Sequence, residues 1–233
     1  KSMSHILNQE VGRLRERILV LGSEVEENLL IAVDALKRRD QARSLALIQA
    51  DEWINEKRIK IGMDCLTLMA TQQPVARDMR QIAAIIEIAG ELERIHDYVK
   101  GISKINRLIS PEIDIKALLL PLPDMTAITA AMLHASLTAF AHADEALARR
   151  TPVRDSEVDR MYEELNAEVI RRVHETPSDM ELANRLQWAG HNIERAADRV
   201  INICEWVIYM ITGIFEEMDN ASPQHEQEAN LNY

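Results

Sequence analysis

The 233-residue chain has little of what strands, tight turns and disulfide scaffolds require. Aromatic residues make up 4%, and glycine and proline number seven each, clustered at what read as boundaries. That scarcity favours helix over strand. The two cysteines, Cys65 and Cys204, build no disulfide framework, and neither has a second cysteine at zinc-finger spacing, so both are expected as core thiols. No apolar run reaches 18 residues, and the nearest approach, from Ile203 to Phe215, contains Glu205, so no membrane span is expected. Nothing at the N-terminus has the shape of a signal peptide, and a cytoplasmic location is expected. Positive charge is short as well. A net charge of −11 repels a phosphate backbone, which argues against nucleic acid as a partner.

What is present suits a packed helical protein. Apolar residues reach 47% and charged residues 28%, enough for a core and too apolar for disorder. Val11, Leu14, Ile18, Leu21, Val25 and Leu29 recur at threes and fours, and predict a first helix from about Ser4 to Lys37. A second helical stretch is expected from about Asp40 to Thr71, with a candidate break near Asp51, and a third from about Val75 to Leu108. Ser110 to Pro123 carries three prolines and reads as a linker. A fourth helix is expected to run to about Arg149, a fifth to open at Pro152, and a sixth to span about Ser178 to Glu217. The polar end from Asn220 is expected to fray.

The sequence repeats itself. At an offset of 104, Leu29, Asp40, Ala42 and Asp51 fall on Leu133, Asp144, Ala146 and Asp155. At an offset of 101, Asp78, Met79, Glu93, Arg94, Asp97, Val99 and Ile102 fall on identical residues from Asp179 to Ile203. Self-similarity over this length predicts an all-α fold of two tandem, pseudo-symmetric three-helix bundles. The expected boundaries are 4–109 and 124–218 for the bundles, 110–123 for the linker and 219–233 for the tail.

Each copy carries a Glu-x-x-x-Asp pair, Glu93 with Asp97 and Glu194 with Asp198, stacked one turn apart on a helix face. Upstream on the first of these faces stand Gly90, Ile86 and Ala83, which predicts that it points inward. The preceding helices offer Asp51 with Asn55, and Asp155 with Asp159. With the turns near residues 73 and 177, Asn55 lies 18 residues before its turn and Glu93 20 after; Asp159 lies 18 before and Glu194 17 after. At about 1.5 Å per residue these groups stand at matching heights across an antiparallel hairpin. Four oxygen-bearing side chains could converge there, a donor set for iron, magnesium or manganese. The alternatives are a solvated acidic face and, for Asp155, simple preference for a helix N-terminus. Glu93-x-x-His96 has the spacing of a di-iron bundle, but its partner position is Ala197, which favours a surface or interhelix role for His96.

Two segments carry a family resemblance. Gln73-Pro74-Val75-Ala76-Arg77-Asp78-Met79-Arg80 with Glu93-Arg94-Ile95-His96-Asp97, and Ile193 to Val207 with Tyr209 to Gly213, resemble the two signatures of the PhoU family of phosphate-uptake regulators. The similarity runs from about Glu10 to Glu217. It implies two symmetric three-helix bundles and a non-enzymatic regulator that restrains uptake through the Pst transporter ATPase and restrains a sensor histidine kinase. It also implies multinuclear iron or zinc clusters, with that role falling on Asp51, Glu93 and Asp97, and on Asp155, Asp159, Glu194 and Asp198. Asn55 leaves the first set one acid short, and Arg199 stands where a histidine is usual. A homodimer is a further implication. The competing functions are a metal-dependent carboxylate enzyme, for which no nucleophile–base pair or glycine-rich phosphate loop is visible, and a helical interaction protein without metal.

Overall fold

The apolar stripes close into seven α-helices in a computed structural model, which describes residues 2–110, 112, 113, 115, 119 and 121–218. They are α1 (Ser2–Arg38), α2 (Gln41–Gln72), α3 (Ala76–Leu108), α4 (Leu122–His142), α5 (Glu145–Arg150), α6 (Asp155–Glu175) and α7 (Met180–Thr212). Short 3₁₀ turns at Thr151–Arg154 and Pro177–Asp179 precede α6 and α7. No described residue lies in a strand. The six residues of the α1 stripe are all buried, as their spacing predicts. The expected tail, 219–233, lies outside the described residues.

The fold is two pseudo-symmetric three-helix bundles, α1–α3 and α4–α7, the second with its middle helix interrupted. Their first turns are copies in detail. Arg39 and Ala143 both take left-handed backbone, with φ of 59° and 52°. The next residue in each copy, Asp40 or Asp144, caps the following helix by accepting from the backbone N–H of Arg43 (3.0 Å) or Leu147 (2.9 Å). The Asp40 and Asp144 N–H groups in turn bond the carbonyls of Ala35 and Ala139. The fourth helix therefore ends at His142 and not near Arg149, because the chain turns at Ala143 as it does at Arg39. In the first copy α2 runs without a break through Asp51. In the second the corresponding stretch breaks at the 3₁₀ turn containing Pro152, which has no N–H to continue a helix, and α6 begins at Asp155 rather than at Pro152. The last helix ends at Thr212, where Gly213 (φ 79°) supplies the left-handed residue that closes it.

The bundles join along two seams. α3 packs on α7, and α1 on α4. At the second seam Gly22 lets Leu137 approach so closely that a Cβ would lie 2.4 Å from Leu137 Cδ1. Arg15 donates there to the carbonyls of Phe140 (3.0 Å) and Ala141 (2.8 Å). At the first seam Glu91 of α3 faces Arg199 of α7 at 3.6 Å and accepts from Asn202 Nδ2 at 3.3 Å. Between the bundles, Ile109, Ile115, Leu119 and Leu122 are buried in the common core. Buried Asn106 holds the first turn by donating to the carbonyls of Ala35 and Asp40 (3.2 Å each) and to Ser44 Oγ (2.8 Å).

Candidate carboxylate sites

The candidate acids sit on the faces that α2 and α3, and α6 and α7, turn toward each other. In the first copy the Glu93 face is a border, not an inner wall. Ala83, Ile86 and Gly90 are half-buried, Glu93 is half-buried, and Asp97 keeps 53% of its side chain exposed. The inward face of α3 is instead Ile85, Ile88, Leu92, Ile95, His96 and Val99. A helix presents two adjacent stripes to two neighbours, and the shorter sequence pattern selected the outer one.

Asp51 is fully engaged by the protein itself. Lys100 Nζ donates to its Oδ2, and His96 Nδ1 donates to its Oδ1 at 3.2 Å. His96 is completely buried, and its Nε2 accepts from Asn28 Nδ2 at 3.2 Å. The tautomer with its proton on Nδ1 satisfies both contacts, and burial lowers the His96 pKa, so the ring is neutral. Burial alone would raise the Asp51 pKa, but the Lys100 and His96 hydrogen bonds outweigh it and hold Asp51 below the usual carboxylate range. Asn55 Oδ1 accepts from Arg58 Nε and Nη2, both at 3.2 Å. Glu93 is raised by burial and then by Asp97. His96 is thus an interhelix histidine tying α1, α2 and α3 together.

The second copy has a different balance. Asp155, at the N-terminus of α6, is 4% exposed, and its Oδ1 has no hydrogen-bond partner. Burial, then the charges of Asp159, Asp198 and Glu194, push it up to about 7. Glu194 is pushed up to about 7 by burial, then by Asp198 and Asp159. Its Oε2 is buried 3.2 Å from His191 Nδ1, without the alignment of a hydrogen bond. Arg195 Nη1 pairs with Asp198 Oδ2 at 3.2 Å. The four acids therefore feel one another across the α6–α7 hairpin.

Among the described residues, no three His, Cys, Asp or Glu side chains hold their donor atoms converged as a metal ion would need. The chemistry of the donor set is a separate test of fit. All-oxygen donors, among them the buried Asp155 Oδ1 that has no hydrogen-bond partner, suit a hard or borderline cation at the second set. The first set fits one poorly, since Lys100, His96 and Arg58 already occupy Asp51 and Asn55. Sequence reading passed over Lys100, although it lies three residues after Asp97 and seven after Glu93, on the same face.

The thiols behave as expected of core residues. Cys65 and Cys204 are buried and free, and burial raises them to about 11 and about 12. No described helix is long and apolar enough to cross a membrane.

The duplicated hairpin has a known counterpart. A family model, the PhoU domain, matches residues 18–105 and again residues 122–207. The chain belongs to the PhoU family. Among its relatives is the phosphate-specific transport system accessory protein PhoU of Serratia marcescens, 31% identical over 91% of this chain and 87% of that protein. The Escherichia coli K12 protein of the same name is 30% identical over 91% of this chain and 88% of its own length. Among solved structures, PhoU from Pseudomonas aeruginosa superposes with a TM-score of 0.84 at 28% identity, covering 89% of this chain and 99% of that one. The phosphate transport system regulatory protein PhoU from Streptococcus pneumoniae gives 0.82 at 26% identity, covering 91% and 100%. The two PhoU matches fall on the two copies read from the sequence, one on each bundle. These relatives are named as accessory or regulatory proteins.

Proposed function

We propose that this PhoU protein is a cytoplasmic, non-enzymatic accessory regulator of a phosphate-specific transport system. It acts by binding the transporter ATPase and a sensor histidine kinase, and it works as a homodimer. The observation that carries this reading is the double PhoU match, together with relatives of the same name that align over most of both chains. The relatives' names, accessory or regulatory proteins, support an adaptor rather than a catalyst.

The adaptor is dressed with metal at its second copy. Asp155, Asp159, Glu194 and Asp198 hold iron, zinc, manganese or magnesium ions between α6 and α7. When bound, the cation would supply charge neutralisation to the clustered acids. Asp155 would hold it from the first residue of α6, and Arg195 pairs with Asp198 at 3.2 Å on α7.

The test is a pull-down with this chain as bait, in cells expressing the transporter ATPase and the sensor kinase. Retention of either supports the reading, and retention of neither contradicts it. Chelation should lower the thermal midpoint, since the clustered acids then oppose the α6–α7 pairing. An unchanged midpoint would mean that the ions, if bound, do not hold the hairpin together.

A further inference from the structure

The two copies share a backbone but not a charge balance. Asp51, Asn55, Glu93 and Asp97 correspond by the repeat to Asp155, Asp159, Glu194 and Asp198. Three side chains serve the first set from inside. Lys100 bonds Asp51 Oδ2, stands 3.9 Å from Asp97 Oδ1 and lies in the field of Glu93. His96 donates to Asp51, and Arg58 makes two hydrogen bonds to Asn55. At the same offsets the second copy has Ile201 for Lys100, Ala197 for His96 and Tyr162 for Arg58. The lysine, the histidine and the arginine are all replaced, and Asp159 adds an acid where Asn55 has none. In the second copy Arg195 pairs with Asp198 at 3.2 Å and His191 stands 3.2 Å from Glu194, where the first has Arg94 and Gly90, but neither is among the charges acting on Asp155. The acids thus rise from three to four, while the positions of Lys100 and Arg58 are taken by the uncharged Ile201 and Tyr162. The consequence is visible at Asp155, 4% exposed with Oδ1 unpartnered, whereas Asp51 has both oxygens bonded. A buried carboxylate without a partner is costly, and the cost is met either by a proton or by a counter-ion.

We infer that Lys100 is a built-in cation that takes the place of a metal ion in the first copy, so that divalent metal binding is confined to the second. The lysine is tethered to α3 one turn beyond Asp97, so it is present at any metal concentration. A divalent ion entering beside it would bring a second positive centre to the same oxygens. The inference rests on the metal-dressed reading above, and it divides that reading between the copies.

The full chain, stripped with EDTA and titrated with manganese chloride by calorimetry, decides it. Wild type should show one class of sites. Asp155→Asn with Glu194→Gln should weaken it at least as much as losing a supporting group, about 10–100-fold. Asp51→Asn should leave it unchanged. Lys100→Met with Asn55→Asp should add a second class, and its thermal midpoint, low in EDTA, should recover with manganese. A Lys100→Met/Asn55→Asp chain that folds only with manganese supports the inference equally. If that chain folds under neither condition, the Asp51 and Asp155/Glu194 comparison decides alone. Loss of binding in Asp51→Asn, or full binding in the Asp155/Glu194 variant, would overturn the division between copies while leaving metal binding intact. No manganese uptake by wild type would overturn both.

Discussion

Asp51 and its counterpart Asp155 show how one backbone position can be settled by opposite means, the first with both oxygens bonded and the second with Oδ1 unpartnered. Burial, then the neighbouring acids, push Asp155 and Glu194 up to about 7, from 3.8 and 4.5. The metal-free folded state therefore binds more protons than the unfolded chain between those limits. Its stability from these groups is full in acid and is lost as pH rises through about 7. In EDTA, the thermal midpoint should fall by several degrees between about pH 5 and 8, and Asp155→Asn with Glu194→Gln should flatten that slope. A metal-free midpoint that rises over the same interval would contradict the assignment. His96 serves the core instead, being neutral, wholly buried and bonded on both ring nitrogens. His96→Ala should cost about 2–4 kcal/mol in urea denaturation, from the cavity and from leaving Asn28 and Asp51 without their partner. A loss below about 0.5 kcal/mol, the usual effect of a surface substitution, would place the histidine outside the core.

The helices were legible in the sequence wherever periodicity acts alone. The α1 stripe, the turn before Pro74 and the third helix of each copy follow from apolar spacing and proline. The middle of the second copy was not legible from spacing, because α4, α5 and α6 carry compatible helical patterns across their breaks. The repeat held the missing signal: Asp40 caps α2 behind left-handed Arg39, so Asp144 should cap behind Ala143, and it does. Asp40→Ala and Asp144→Ala should each cost about 1 kcal/mol. Comparable losses by urea denaturation would confirm that the two turns are one device used twice, and a large inequality would argue against it. The inward direction of the Glu93 face was misread for a related reason. Small and apolar residues at Ala83, Ile86 and Gly90 describe the edge of the stripe, while Ile85, Leu92 and His96 define its centre.

At the scale of the whole molecule, the duplication and its acids could be read from matched positions, but the inequality of the copies could be read only in part. Asn55 signalled a missing acid. Lys100, His96 and Arg58 come from two helices, and their convergence on Asp51 and Asn55 depends on packing that spacing does not give. The α3–α7 and α1–α4 seams join the copies through Glu91, Arg199 and the close approach at Gly22. The central proposal is that this PhoU protein binds its transporter partner with metal held at its second copy. The direct measurement is the affinity of the chain for the transporter ATPase, with manganese and with EDTA. The account predicts tight binding with manganese, weakened by EDTA and by Asp155→Asn with Glu194→Gln, and unaffected by Asp51→Asn. Equal affinity under all four conditions would contradict it.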